Sequence, residues 1–134
     1  LAVKFGFDIT VIDEREGIFN DWGDNNFNLL NMEPEQAYNQ LKFDSQTYIC
    51  IMTYAHKNDK KIAGYCGAQS FAYLGVIASK TKAAIIRKEL VEEKILTQQQ
   101  VDAIEMPMGM PMKCETPSEI AISILAGLID QRNK

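Results

Sequence analysis

Three stretches of the chain are almost continuously apolar or β-branched, and they predict β-strands. They span residues 7–12, 47–53 and 71–78. Unbroken runs of this length are typical of strands buried on both faces, as parallel sheets require. A shorter strand is predicted over residues 28–32. It follows a stretch at 17–28 whose Asn, Asp and Gly content predicts an irregular loop or a short helix.

The segments between these strands carry apolar residues at helical spacing. Pro34 stands where a helix begins, and residues 35–41 continue the helical pattern. A second helix is predicted over residues 57–69. Ser79 is placed to cap a third helix, which runs to about residue 94.

Two capping boxes mark helix starts near the end of the chain. Thr97 and Gln100 predict a short helix that ends near residue 104, and Thr116 and Glu119 predict the last helix. Because the last helix is apolar over much of its circumference, we expect it to be largely buried.

The alternation of strands and helices predicts an α/β fold. A parallel sheet covered by helices on both faces, as in a Rossmann-like three-layer domain, fits this order. The length of 134 residues suits a single domain. In such folds ligands bind at the carboxyl ends of the strands, so the residues that follow each strand are the candidates for a site.

Composition and charge narrow the function classes. Lys and Arg number 14 and Asp and Glu number 18, giving a net charge of -4, which does not favour binding to DNA or RNA. The longest nearly apolar stretch, residues 120–129, is far shorter than the ~20 residues that cross a bilayer. The three cysteines are widely spaced and form no CxxC motif, which is typical of a reducing compartment such as the cytoplasm.

Asp13 and Arg15 follow the first predicted strand. In dinucleotide-binding folds an acidic residue at this place accepts hydrogen bonds from ribose hydroxyls. The glycine motif G-x-G-x-x-G that accompanies it does not occur in the chain, and its expected place, about 20 residues earlier, lies ahead of Leu1. The alternative is a solvated acid at a strand end.

The second predicted strand is followed by Thr53, His56 and Asp59. A histidine with an aspartate three residues on suits an oriented acid–base pair. The alternative is a capping or surface histidine. Because His56 is the only histidine, a His-rich metal site is excluded.

Ser79, Lys80, Thr81 and Lys82 open the helix that follows the third strand. Exposed backbone N–H groups, the positive end of the helix, two hydroxyls and two ammonium groups suit a phosphate. An N-cap followed by solvated lysines is the alternative.

Cys114 lies two residues ahead of the cap of the last helix. A thiolate near a helix N-terminus is stabilised and can act as a sulfur ligand or nucleophile. An inert thiol is the alternative. The methionine-rich run at residues 106–112 suits gap-filling beside the sheet better than binding of Cu(I).

Four segments share motifs with one protein family, in the same order along the chain. They are FDITVIDER at residues 7–15, YLGVIASKTK at 73–82, PMGM at 107–110 and TPSEIAISI at 116–124. They resemble the strand-acid-Arg segment, the Tyr-Ile-Gly-hydrophobic-Gly-Ser-basic stretch, the Pro-Ile-Gly-Leu loop and the Thr-Pro-Glu-Glu-Ile-Ala helix of the xanthine dehydrogenase accessory (XdhC/CoxI) family.

The resemblance implies a Rossmann-like domain that serves a molybdenum hydroxylase without being a catalyst itself. It implies binding of the molybdenum cofactor (molybdopterin), support of its sulfuration, and help with its insertion. The implied partners are the apo-hydroxylase and a cysteine desulfurase, and a homo-oligomer is compatible with it. The alternatives are an NAD(P)-binding oxidoreductase and a nucleotide-sensing domain.

The resemblance and the strand-end positions together nominate nine residues for cofactor binding. The cofactor carries a phosphate, which fits the basic helix start, and a pterin, which needs hydrogen-bonding groups. Cys114 is added as a possible sulfur ligand. The nine residues are Asp13, Arg15, Thr53, His56, Asp59, Gly75, Ser79, Lys80 and Lys82.

The chain departs from the family pattern in three places. Thr53-Tyr54-Ala55-His56 stands where the family has Thr-His-Asp-His, and Ala78 stands where a Gly precedes the serine. The glycine loop and first strand of the family are expected ahead of Leu1. Since that strand lies in the middle of the sheet, we expect a gap between the strands at 7–12 and 47–53, filled by a longer native chain, another segment or another subunit.

Overall fold

The computed structural model describes residues 1–23 and 26–134, except for the side chain of His56. It contains two compact units, Leu1–Lys42 and Phe43–Lys134. Parallel strands together with α-helices confirm the predicted α/β class. The described strands form two separate two-stranded sheets, one in each unit.

The first unit contains two parallel strands, β1 (Ile9–Ile12) and β2 (Phe27–Leu30), paired along their whole length. Both lie within two residues of the predicted positions. The predicted loop between them forms turns over the part that the structure describes, while residues 24 and 25 lie outside the described residues. The rings of Phe19 and Phe27 pack edge to face on Trp22, with centroids 5.1 and 5.7 Å away.

Short helices complete the first unit. A 3-10 helix at Ala2–Phe5 ends at Gly6, whose φ of 86° is left-handed. The helix predicted over residues 35–41 is one α-helical turn, α1 (Pro34–Ala37), followed by a 3-10 turn at Tyr38–Gln40. The pattern therefore indicates the helix start correctly and overestimates the length of regular α-helix.

The second unit alternates strands with longer helices. Its two strands are parallel, and the backbone of Glu105 adds a parallel bridge beside Gly75 on the far edge. All three predicted helix caps are present: Ser79, Thr97 and Thr116 each accept a hydrogen bond from a backbone N–H in the first turn. The elements are β3 (Tyr48–Ile51), α2 (His56–Cys66), β4 (Tyr73–Val76), α3 (Lys80–Glu92), α4 (Gln98–Asp102) and α5 (Pro117–Arg132).

The core of the second unit lies where α2, α3 and α4 pack against the sheet. Its buried side chains come from the two strands, from α2, α3 and α4, and from the segments around residues 96 and 104–106. The buried cluster consists of Ile51, Ala63, Cys66, Leu74, Val76, Ala83, Ile86, Leu90, Leu96, Val101, Ile104 and Met106.

Arg87 on α3 forms hydrogen bonds that connect α3 to α4 and to the segment after it. Its guanidinium donates to the carbonyls of Val101 at 3.0 Å, Ile104 at 2.9 Å and Met106 at 3.3 Å. These carbonyls lie at and beyond the last turn of a short helix, where intrahelical partners run out. One side chain therefore satisfies three backbone acceptors.

The methionine-rich segment packs on α5 at a glycine. Met106 and Met108 are buried, whereas Met110 and Met112 are exposed. Gly109 has a φ of 106°, and a Cβ at this position would lie 2.7 Å from Oγ of Ser123 on α5. Gap-filling by the first two methionines agrees with the prediction.

The prediction that α5 is largely buried is wrong for its first half. Ile124, Leu125 and Leu128 are buried, but Ile120 is 39% exposed and Ile122 is 54% exposed. An apolar circumference shows that a helix can be buried but not which part of its length has a neighbour.

None of the helices in the described part of the chain is both long and apolar enough to span a membrane.

Candidate functional site

A cavity of about 240 Å³ lies in the second unit at the carboxyl ends of β3 and β4. The strands are parallel, so the segments that follow them, with the starts of α2 and α3, reach the same edge of the sheet. Four residues nominated from the sequence line this cavity. Its lining consists of Thr53, Tyr54, Asp59, Ile77, Ala78, Ser79 and Lys82.

Asp59 supplies a buried carboxylate to the cavity. It lies in the first turn of α2, where the helix dipole favours a negative charge, and it is only 6% exposed. The hydroxyl of Thr53 donates to its Oδ1. The same Thr53 oxygen lies 3.1 Å from the carbonyl of Ala55 and accepts from the Ala55 N–H at 3.4 Å. A single threonine thus ties the end of β3 to the start of α2.

The basic side of the cavity is the start of α3. Ser79 Oγ accepts from the backbone N–H of Lys82 at 3.1 Å, and a hydroxyl that accepts one bond can still donate its own proton. Lys82 lines the cavity and is exposed. Lys80 is also exposed but does not line it. The start of α3 therefore contributes one basic residue and one hydroxyl-bearing residue to the lining.

Two apolar residues at the rim of the cavity are absent from the residues nominated above. Tyr54 is 70% exposed and Ile77 is 38% exposed. Both lie just beyond the end of a strand, so the strand-end rule covers them. A search of strand ends for polar and charged groups alone misses them.

Asp13 and Arg15, in the first unit, form an ion pair with each other. Arg15 donates from Nε to Oδ1 at 3.1 Å and from Nη2 to Oδ2 at 2.8 Å. The Asn31 side-chain amide donates to the backbone carbonyls of both residues at 2.8 Å. The hydrogen bonds from the Arg15 side chain lower the pKa of the Asp13 carboxyl, against a smaller opposing effect of burial.

We expect the Asp13 carboxyl to titrate below its ordinary range, and Arg15→Gln to return its pKa to that range. Because the pKa is lower in the folded state, the ionised pair stabilises the fold above the unfolded-state pKa. This contribution is lost as pH falls through the folded-state pKa. A carbon-13 NMR titration of the side-chain carboxyl measures the shift, with Lys4→Gln as the control. An Asp13 pKa that Arg15→Gln leaves unchanged would contradict the assignment.

The remaining nominated residues lie apart from the lining or outside the described part of the chain. The side chain of His56 is among the parts that are not described. Gly75 is in the middle of β4, where a Cβ would lie 2.5 Å from the Tyr73 hydroxyl oxygen and 2.8 Å from Met108, so packing alone requires a glycine. Cys114 precedes the cap of α5, is partly exposed and does not line the cavity.

The other two thiols are held in their neutral form. Burial, with a smaller effect from the charge of Glu105, raises the pKa of Cys50 to about 11. Burial raises the pKa of Cys66 to about 12. Since the thiolate is the reactive form, neither is suited to nucleophilic chemistry near neutral pH.

The family model of the XdhC Rossmann domain matches residues 1–128. The chain belongs to this family. Both the resemblance drawn from the four sequence segments and the Rossmann-type fold class are thereby confirmed.

Two relatives match the chain. The chain is 30% identical over 134 residues to the uncharacterized protein YqeB of Escherichia coli K12, covering 98% of this chain and 24% of that protein. It is 24% identical over 106 residues to a probable xanthine dehydrogenase component of Bacillus subtilis 168, covering 79% of this chain and 30% of that protein. The domain thus spans less than a third of these relatives.

The likeness extends to three dimensions. A crystal structure described as a xanthine dehydrogenase from Bacillus halodurans superposes with a TM-score of 0.80 over 98% of this chain and 37% of that one. At 22% identity this likeness establishes the fold.

Proposed function

We propose that this XdhC-family domain is an accessory module for a xanthine dehydrogenase-type molybdenum hydroxylase, and that it binds the molybdenum cofactor. Membership of the XdhC family and the name of the Bacillus subtilis relative support the accessory role. The observation that carries the binding proposal is the cavity, because it combines a basic helix start with a buried carboxylate.

The residues of the cavity fit the polar groups of the cofactor. Ser79 and Lys82 would hold its phosphate, since a hydroxyl and an ammonium at a helix start donate to an anion. Thr53 and Asp59 would face the pterin, and the carboxylate would accept hydrogen bonds from the N–H groups of the pterin. When bound, the cofactor supplies the molybdenum chemistry of the hydroxylase. The role of this chain is to bind and orient it.

The same proposal extends to sulfuration and insertion of the cofactor, with the apo-hydroxylase and a cysteine desulfurase as partners. We assign no turnover to this chain.

The test is a titration of the purified chain with released molybdenum cofactor, followed by gel filtration and by activation of a partner apo-hydroxylase. We expect cofactor to elute with the chain and activation to rise. Absence of retention together with unchanged activation would reject the proposal. Parallel calorimetry with NAD and NADP addresses the alternative, since micromolar binding of either would favour a nucleotide-binding function.

Lys82→Gln is expected to weaken binding of the cofactor about five- to tenfold, because it removes one charge-assisted hydrogen bond to the phosphate at a partly solvated position. Lys88→Gln is the matched control, since Lys88 lies on the same helix but outside the cavity and pairs with Glu92 at 3.9 Å. Equal affinities of the two variants would show that Lys82 does not contact the phosphate.

A further inference from the structure

The cavity is smaller than the pockets that usually enclose a cofactor-sized ligand. Its volume of about 240 Å³ lies below the roughly 300–1,000 Å³ of pockets that enclose most of a drug-sized ligand. It holds a phosphate and one edge of an attached ring but does not enclose a whole pterin phosphate. Part of any such ligand must therefore lie against the rim.

Tyr54 presents an aromatic ring at this rim. The residue is 70% exposed, although aromatic side chains gain stability when their surface is covered. Ile77 lines the same cavity from the end of β4 and is also partly exposed. Tyr54 and Ile77 thus both line the cavity with exposed apolar surface, and an exposed aromatic ring is a surface on which a flat heteroaromatic group stacks.

The backbone that carries Tyr54 is fixed on both sides. Thr53 precedes it and Ala55 follows it, and the Thr53 hydroxyl oxygen lies within hydrogen-bonding distance of both the carbonyl and the N–H of Ala55. Its bond to the Asp59 carboxylate holds the same turn against α2. The backbone position from which the ring projects is thus set by the fold.

From these observations we infer that Tyr54, with Ile77, binds a planar heteroaromatic ring, so that the ligand class of the cavity is a phosphate monoester that carries such a ring. The inference rests on the proposed function, because it concerns the same cavity. A pterin phosphate and a purine nucleotide share this chemistry. Tyr54 determines preference for ring-bearing phosphates, whereas Ser79 and Lys82 bind the phosphate itself.

Calorimetry of the full chain with three probes tests the inference. The probes are 6-hydroxymethylpterin phosphate, GMP and inorganic phosphate. We expect at least one ring-bearing probe to bind more tightly than inorganic phosphate. Tyr54→Ala should weaken its binding about tenfold and leave inorganic phosphate unaffected, since stacking involves the ring alone.

Two further variants separate stacking from folding effects. Tyr54→Phe keeps the ring and should retain the affinity for the ring-bearing probe. Tyr65→Ala is the matched control: Tyr65 is a partly exposed tyrosine on α2 that packs against Phe43 and does not line the cavity. It should leave all three affinities unchanged.

The outcomes separate this inference from the proposed function. Ring-bearing probes that bind no better than inorganic phosphate, or a Tyr54→Ala variant that weakens all three probes equally, would overturn the inference. If binding of inorganic phosphate then still depends on Lys82, the assignment of the phosphate site is retained and only the stacking role of Tyr54 is rejected. If none of the probes binds, both proposals fail. A preference for the pterin phosphate over GMP, or the reverse, identifies the source of the ring.

Discussion

Replacing Arg87 by methionine is expected to lower the free energy of unfolding by about 3 kcal/mol. The substitution keeps the aliphatic stem and removes all three hydrogen bonds to the carbonyls of Val101, Ile104 and Met106. A hydrogen bond from a charged donor contributes about 1.5–3 kcal/mol, and bonds made by one side chain do not add in full, so we expect the set to contribute about 3 kcal/mol. The residues that carry these carbonyls are all buried.

Urea denaturation followed by far-ultraviolet circular dichroism measures this effect, because the helices of the second unit supply most of the helical signal of the described residues. Trp22 lies in the first unit, so its fluorescence does not report on this contact directly. Lys88→Met is the control, an exposed neighbour for which a change within about 0.5 kcal/mol is expected. A loss below about 1 kcal/mol for Arg87→Met would show that water replaces the guanidinium at little cost.

Gly109→Ala is expected to lower the free energy of unfolding by a similar amount, about 3 kcal/mol. Two causes combine. A φ of 106° is a conformation that side-chain-bearing residues rarely adopt, which costs on the order of 1–3 kcal/mol. The new Cβ would also lie 2.7 Å from Ser123 Oγ, inside the contact between this segment and α5.

A double-mutant cycle separates the two causes. Adding Ser123→Ala removes the hydroxyl and should recover about 1 kcal/mol, while the cost of the backbone conformation remains. Gly6→Ala is the control for backbone conformation alone, since Gly6 has a φ of 86° and nothing within 4 Å of an added Cβ. Equal losses for Gly6→Ala and Gly109→Ala would mean that the contact with Ser123 relaxes freely.

Local chemistry makes the helix starts predictable. Ser79, Thr97 and Thr116 each cap a helix as expected, because capping depends on residues three positions apart. The apolar runs likewise mark where the strands lie, since a buried strand needs an unbroken apolar segment. Helix length is less predictable: α1 changes to a 3-10 turn after Ala37, which no periodicity marks.

Contacts between distant segments could not be predicted. Arg87 reads as one more basic residue on α3, and its acceptors lie 14 to 19 residues further along the chain. Likewise, nothing in the composition of α5 indicates that Ile120 and Ile122 are exposed while Ile124 is buried. Both the hydrogen-bond partners of a side chain and its exposure depend on which element packs against it in the folded chain.

In the candidate site, too, the positions of residues could be predicted but their contacts could not. The rule that sites lie at the carboxyl ends of parallel strands is enough to group Thr53, Asp59, Ser79 and Lys82, all of which line the cavity. The rule says nothing about partners, so it gives no indication that Arg15 pairs with Asp13 through two hydrogen bonds.

Strand β4 has hydrogen-bonded neighbours on both edges. β3 lies on one side, and on the other Glu105 and Met108 bond to the backbone of Leu74 and Val76. Beyond its end, the N–H of Ile77 donates to the Ile51 carbonyl at 3.0 Å. The wall that carries Ile77 and Ser79 is therefore an extension of a strand clamped from both sides. The backbone of this wall is therefore preorganised, and a ligand that binds there costs little conformational entropy of the protein backbone.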